Sequence, residues 1–337
     1  MTDTTRIVLA ARPKGEPTQE NFRIETAALP ELADGQVLLE TRYLSLDPYM
    51  RGRMNDAKSY AANVEIGDTM VGGTVSRVLQ SKADGFAEGD NVLGYGGWQS
   101  HSVEQANGLV KVDESQAPLS TALGVLGMPG LTAYTGLLTI GKPQAGETVV
   151  VAAATGPVGS AVGQIAKVKG ARAVGIAGGP EKVAYLKELG FDAAVDHRAD
   201  DFANQLAEAT PDGIDVYFEN VGGKVWDGVL PRMNEFGRVP LCGLVSGYNA
   251  TSLPEGPNRV PVVMGTVLQK SLTLRGFIVR EFHDQMPQFR RDMTEWIKTG
   301  QVKYREDITD GLESAVETFI GMLRGENFGK VVIKVAG

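Results

Sequence analysis

Residues 152–167, AAATGPVGSAVGQIAK, follow the apolar run ETVVV and carry glycines at a spacing that can admit a phosphate. Gly156 and Gly159 match the last two glycines of G-x-G-x-x-G, Ala154 stands at the first position, and Gly163 follows one helical turn later. In such a turn a residue without a side chain lets the backbone approach a pyrophosphate, and another lets the helix pack close to its strand. The N–H groups that open the helix then point at the anion. Ala154, Gly156, Pro157, Val158 and Gly159 are therefore the candidate phosphate contacts. A packing turn uses the same glycines, and S-adenosylmethionine enzymes also place glycines after a first strand, so the turn alone leaves the ligand open.

The next strand discriminates better. An NAD site carries an acid at that strand's end for the ribose 2′-OH, whereas RAVGIA runs into Gly178, Gly179, Pro180, Glu181 and Lys182. Glu181, behind Pro180, belongs to the first helical turn, where a carboxylate suits the helix dipole. Lys182 in that turn is disfavoured by the dipole and favoured by a 2′-phosphate. NADPH is thus expected over NADH. Residues 136–143, GLLTIGKP, fall one residue short of the Walker pattern. Pro143 has no hydroxyl for magnesium, and the segment precedes its strand, so Gly141, Lys142 and Pro143 read as a helix stop.

The elements that must position these residues divide near Leu123. Before it, short β-like runs such as QVLLETRYLSL, GTVSRVL and DNVLGYGG alternate with Gly, Pro and Asp turns, as in a barrel or sandwich. From Thr148 on, the strands TVVVAA, RAVGIA, FDAAVD, IDVYFEN and RVPLCG alternate with helical patterns, GSAVGQIAKVKG, PEKVAYLKELG and VWDGVLPRMNEFG among them. That alternation predicts βαβ units: an α/β, doubly wound parallel sheet with helices on both faces. The final run, NFGKVVIKVAG, resembles the first half and is expected to return to it. Net charge is −8 with no dominant basic block, which argues against nucleic-acid and anionic-membrane partners. A single cysteine, Cys242, excludes an intramolecular disulfide. The start lacks a signal-peptide core, and LGVLGMPGLTAYTGLL is too broken by Pro129 and glycines to span a membrane. A soluble cytoplasmic protein is expected.

Seven stretches, YLSLDPYMRGRM, GMPGLTAYTGLL, ATGPVGSAVGQIAK, GFDAAVDHR, YFENVGG, LCGLVSGYN and ENFGKVVIKV, resemble in order the zinc-independent medium-chain dehydrogenase/reductases. The resemblance is to the branch of leukotriene B4 12-hydroxydehydrogenase (prostaglandin reductase), and most to its bacterial curcumin reductase side. It implies a Rossmann domain at residues 127–305 and a GroES-like β-rich substrate domain at residues 1–126 and 306–337, often as a homodimer. It also implies NADPH-dependent reduction of the carbon–carbon double bond in α,β-unsaturated ketones and aldehydes.

Carried over by position, the resemblance puts Lys182 on the 2′-phosphate and Asn220 near the cofactor ribose. Cys242 and Gly243 fall beside the adenosine half. Phe277, Ile278 and Val279 match a strand end whose backbone approaches the nicotinamide, and Asn327 lies near the same end. Where relatives carry a tyrosine at the adenosine phosphate, this chain has His197, followed by Arg198. Cys242 and Val279 also read as core, while Asn220 and Asn327 are harder to explain by packing.

Zinc relatives polarise an oxygen with an ion held by Cys, His and Glu. Here His101, His197 and His283 lie in unrelated segments, and MVGGTVSRV has glycines where those relatives carry Gly-His-Glu. No metal is expected. Hydride delivered to an enone then needs another donor for the enolate oxygen. Tyr248, in VSGYN after the fifth strand of the nucleotide domain, is the first candidate, and Tyr49, in DPYMRGRM, is the second. Either can instead fill an interface. Met50 and Arg51 are further candidates for the substrate pocket. NADPH:quinone oxidoreduction and a non-catalytic NADPH-binding redox sensor remain the alternatives.

Overall fold

The computed structural model describes residues 3–336. The chain forms two compact units: one holds the stretch ending at Gly124, Tyr248–Thr251 and the stretch from Glu306 on, and the other holds Val125–Gly247 and Ser252–Arg305. The four residues Tyr248–Thr251 therefore belong to the first unit, although the sequence places them inside the nucleotide-binding stretch.

The first unit contains β1 (Asp3–Leu9), β2 (Phe22–Ala28), β3 (Gln36–Ser45), α1 (Tyr49–Arg53), β4 (Thr74–Ser81), β5 (Asn91–Gly94), β6 (His101–Gln105) and β7 (Val110–Lys111). The second contains α2 (Met128–Thr135), β8 (Thr148–Ala152), α3 (Pro157–Val168), β9 (Arg172–Ala177), α4 (Pro180–Glu188), β10 (Ala193–Asp196) and α5 (Phe202–Ala209). It continues with β11 (Ile214–Phe218), α6 (Gly223–Val229), β12 (Met233–Leu241), α7 (Val260–Gln269), β13 (Thr273–Gly276) and α8 (Met286–Lys298). The chain then returns to the first unit with β14 (Glu306–Asp310), α9 (Ala315–Leu323) and β15 (Lys330–Lys334).

Six strands of the second unit form a parallel sheet in the order β10-β9-β8-β11-β12-β13, the doubly wound arrangement. Both faces are covered, which is why TVVVA is apolar throughout instead of alternating. Val149 and Val151 pack with Ala161, Val162 and Ile165 of α3, while Val150 and Ala152 pack with Phe202 and Leu206 of α5 and Val225 and Val229 of α6. The helix stop at Lys142 is present: its backbone is left-handed (φ 46°) and its N–H bonds Leu137 O at 2.7 Å.

One element differs from the sequence reading. VWDGVLPRMNEFG reads as one helix, but α6 ends at Val229, a 3-10 turn covers Leu230–Arg232, and β12 begins at Met233. Pro231 removes a helix N–H at that point, and residues 233–237, which keep a helical spacing of apolar groups, open β12, where Met233 pairs with Ile214 of β11 ahead of a register shift.

In the first unit β15 pairs antiparallel with β3 through Val332 and Ser45, Ile333 and Leu44, and Lys334 and Tyr43, so the last run returns to the β-rich half. The turn from β3 into α1 is held by a buried ion pair. Lys330 Nζ donates to Leu46 O at 2.7 Å and Asp47 Oδ1 at 3.0 Å, and Ser45 Oγ donates to Asp47 Oδ2. Removing either charge would strand the other away from water.

Candidate functional site

β8 leads into the phosphate turn through Ala153, whose φ of 50° is left-handed. Ala154 N–H bonds Ile176 O at 3.0 Å and Gly156 N–H bonds Ala153 O at 3.0 Å, so the turn is tied to β9 as well as to itself. Gly156 caps α3 without any side-chain hydrogen bond, and Pro157 takes the first helical position. A Cβ on Gly159 would run into the carbonyl oxygen of Ala153 and lie 2.7 Å from Ala154 Cα, both backbone atoms that cannot swing away. A Cβ on Gly163 would collide with the Phe191 ring, which makes that glycine a packing position.

The end of β9 gathers cations. A Cβ on Gly178 would lie 2.7 Å from Arg198 Nε and 2.9 Å from His197 Nε2, so both side chains overlie that glycine. Asp196, the acid nearest by, is occupied: its Oδ1 accepts the N–H of Gly179 and of Arg198, each at 2.9 Å. The His197 pKa is lowered, first by burial and then by Arg198, with Lys224 and Lys182 adding to the effect and Asp196 opposing it. Three cations thus act on one imidazole. A hydroxyl gains little from such a corner, whereas a phosphate dianion complements it. Sequence reasoning missed Lys224, which lies 42 positions after Lys182 in another βα turn and shows no local signal.

The other half of the sheet end is organised by Glu219, which is fully buried. Its Oε1 accepts from Tyr217 OH at 3.0 Å and from the N–H groups of Val221 at 2.6 Å and Gly222 at 2.9 Å, while Oε2 has no partner among the described residues. Its backbone oxygen accepts from Cys242 and Gly243, at 2.9 and 3.1 Å. One residue thereby shapes both the Asn220 turn and the Cys242 loop. Burial raises the Glu219 pKa and pushes the Cys242 thiol up to about 12, with Glu219 adding to the latter, so Cys242 is no nucleophile at neutral pH. Asn220 Nδ2 donates to Ala152 O at 2.9 Å, pinning β11 to β8 where the strand order reverses.

The strand order sets where the Cys242–Gly243 loop lies in the sheet. A dinucleotide straddles the reversal point, with one half over each side. The cation corner is at β9, on one side of β8; Cys242 and Gly243 follow β12, two strands away on the other side. They therefore lie across β8 from that corner. Phe277 is buried against Phe218 and Phe282, so only its backbone is available to a ligand. The N–H of Ile278 is taken by Glu281 Oε1 at 2.7 Å, and Val279 packs partly on the core.

In the first unit, Tyr49 opens α1. Burial raises its pKa far above the usual phenol range, with Asp47, Tyr95 and Tyr60 adding and Arg53 opposing, so the phenol stays protonated and able to donate. The Arg53 guanidinium lies 4.2 Å from the Tyr60 ring centre and 5.9 Å from that of Tyr49, and Tyr95 is 70% exposed. Tyr60 and Tyr95 were not singled out by sequence, since isolated aromatics in loops carry no pattern.

Met50 and Arg51, the other two pocket candidates, are both buried. Met50 is fully buried among the apolar core of the first unit, because successive residues on a helix point about 100° apart and α1 turns Met50 inward. Arg51 is also buried, and its donors are spent on protein oxygens. Tyr248 follows a 3-10 turn at Val245–Gly247 and is half-buried. Asn327 lies between α9 and β15, where its Nδ2 donates to Gly329 O at 3.0 Å. His101 Nδ1 is 3.0 Å from Ser100 Oγ, His283 sits in a 3-10 stretch, and among the described residues no group of three His, Cys, Asp or Glu is placed to hold a metal ion.

Comparison with known proteins bears on these sites. A family described as "N-terminal domain of oxidoreductase" matches residues 5–112, and one described as "Zinc-binding dehydrogenase" matches residues 157–297. The chain is 58% identical over 334 residues to NADPH-dependent curcumin reductase of Escherichia coli, covering 98% of this chain and 97% of that one. It is 45% identical over 327 residues to prostaglandin reductase 1 of Rattus norvegicus, covering 95% and 96%. Among solved structures, CurA of Vibrio vulnificus in complex with NADPH superposes with a TM-score of 0.96 at 52% identity, covering 99% of each chain.

Proposed function

Since the chain belongs to the medium-chain dehydrogenase/reductases, in the branch of curcumin reductase and the prostaglandin reductases, we propose that it reduces the carbon–carbon double bond of α,β-unsaturated ketones and aldehydes. It is an NADPH-dependent oxidoreductase. The observation that carries the substrate class is the near full-length identity to a curcumin reductase, a name that denotes a conjugated enone. The residues at the sheet end fit the cofactor: Lys182, His197, Arg198 and Lys224 would receive the 2′-phosphate, and the opening of α3 at Gly156 and Gly159 the pyrophosphate. Asn220 and the Cys242–Gly243 loop, both set by Glu219, would border the ribose and nicotinamide half, with the backbone of Phe277 and Val279 and Asn327 at its end.

Bound NADPH supplies a hydride to the β-carbon. Negative charge then gathers on the substrate's carbonyl oxygen, where the Tyr248 phenol donates a hydrogen bond and holds its own proton. Tyr49, kept protonated by burial, is the second donor for that oxygen. A proton from solvent completes the α-carbon. Tyr60 and Tyr95 offer aromatic surface to a planar conjugated substrate beside Tyr49.

Steady-state oxidation of NADPH, measured with a simple enone and a simple quinone before and after exhaustive chelation, tests this reading. Enone turnover is expected to survive chelation unchanged. Turnover with the quinone alone would move the assignment to quinone oxidoreduction, and tight NADPH binding with neither acceptor reduced would favour a redox sensor.

A homodimer fits the surface. β13 closes one edge of the six-stranded sheet with all four residues exposed, and α7 before it exposes Val260, Val262, Met264 and Leu268, the last at 80%. An open strand edge beside an apolar helix suits a two-fold partner that covers both. Sedimentation should give twice the chain mass, and Val262→Glu with Leu268→Glu should halve it; a monomeric parent protein would refute the assembly. A cytoplasmic setting suits the lone thiol, which stays reduced there.

A further inference from the structure

Arg51 is 3% exposed, yet it has no ion pair among the described residues. Burial lowers its pKa, the mark of a guanidinium taken from water without a carboxylate to offset the loss. Neutral oxygens from three separate segments satisfy it instead. Nε donates to Asn249 Oδ1 at 3.0 Å, Nη1 to Asn55 Oδ1 at 2.6 Å and Nη2 to Gly15 O at 2.7 Å. Only the planar fork of an arginine reaches three such acceptors at once.

The first of those acceptors lies in Tyr248–Thr251, the short segment that joins the first unit. No residue of that segment belongs to an apolar core cluster, and Ala250 and Thr251 are exposed. The segment also lies beside the Gly15 turn, where φ is +80° and a Cβ would stand 3.7 Å from Asn249 O and 3.6 Å from Thr251 Cγ2. Arg51, buried in the first unit, supplies a polar contact to this segment through Asn249.

We propose that Arg51 is a positioning residue that fixes the main chain carrying Tyr248 through its hydrogen bond to Asn249. The proposal rests on the reading of Tyr248 as the enolate donor. It gives Arg51 a task distinct from contact with substrate, and it explains why a buried cation is kept where an apolar side chain would fill the space at less expense in solvation.

The test uses the full chain with NADPH and one enone. Asn249→Leu removes the acceptor, Asn249→Asp retains it, and Arg51→Lys replaces the fork by a point charge; kcat, KM, the NADPH dissociation constant and hydrogen–deuterium exchange across residues 245–252 are read for each. Asn249→Leu and Arg51→Lys are expected to lower kcat by about tenfold and to speed exchange, with KM and NADPH affinity nearly unchanged. Asn249→Asp should recover most of the turnover. In a Tyr248→Phe background Asn249→Leu should add nothing further, because both changes remove the same contact. Unchanged exchange in Asn249→Leu, or a loss that multiplies with that of Tyr248→Phe, would overturn the positioning role while leaving the Tyr248 reading intact. Wild-type turnover in Tyr248→Phe would sink that reading itself, and catalytic positioning with it. Should Arg51→Lys fail to fold, the Asn249 pair still decides the matter from the less buried side of the contact.

Discussion

Tyr248→Phe is expected to lower turnover with an enone by roughly tenfold to a hundredfold and to leave the NADPH dissociation constant nearly unchanged. The donor must meet charge that exists only after hydride transfer, so its loss raises the barrier without weakening cofactor binding. Removing a principal oxyanion donor costs about 2.7–4 kcal/mol. The effect here should fall below that if Tyr49, held in its protonated form by burial, serves as the second phenol we propose for the same oxygen. Turnover is to be measured in Tyr248→Phe, Tyr49→Phe and the double variant. A collapse seen only in the double variant would mean that the two hydroxyls substitute for one another. A large loss confined to Tyr49→Phe would transfer the role to α1, and three variants at wild-type turnover would remove tyrosine from the mechanism.

Lys182→Ala should raise KM for NADPH by about tenfold while KM for NADH stays put, eroding the cofactor preference from one side only. A hydrogen bond to a charged group is worth about 1.5–3 kcal/mol, or roughly tenfold to more than a hundredfold in binding. The lower end is expected because Arg198 and Lys224 share the corner. His197 contributes little charge: burial and its cationic neighbours lower its pKa, so the ring is neutral near pH 7 and serves as a hydrogen-bonding group. KM for both cofactors in Lys182→Ala, Arg198→Ala and the pair measures how the load is divided. Full NADPH preference in Lys182→Ala would place the phosphate on Arg198, His197 or Lys224 instead.

The parallel sheet and the phosphate turn were legible before any coordinates because their signals are local. The run TVVVA, the glycines at 156 and 159 and the apolar spacing of α3 lie within 20 residues of one another, and a strand period changing to a helical one needs no distant partner to be read. Lys182 was legible for the same reason, as a cation one turn into a helix where the dipole resists it. Local reading failed where a distant strand decides the outcome. Residues 233–237 keep a helix-like spacing, yet Met233 pairs with Ile214 of β11 and the stretch runs on as β12.

The sequence by itself determined that a doubly wound nucleotide fold with a phosphate turn would form, and that its second strand would end without an acid and be followed by Lys182 in the first turn of the next helix. Tertiary structure alone decided which side chains meet there: Lys182, His197, Arg198 and Lys224 come from three βα turns and share one corner only because β8, β9, β10 and β11 are neighbours in the sheet. It also decided that Met50 faces the core, that Arg51 spends its donors on the chain, and that Tyr248–Thr251 joins the unit of Tyr49. Helix and strand periods are written in neighbouring residues, whereas a buried guanidinium must be satisfied by whichever oxygens the fold brings to it. For Arg51 one of those is four positions away and the other two are 36 and 198 positions away along the chain, separations that no local pattern encodes.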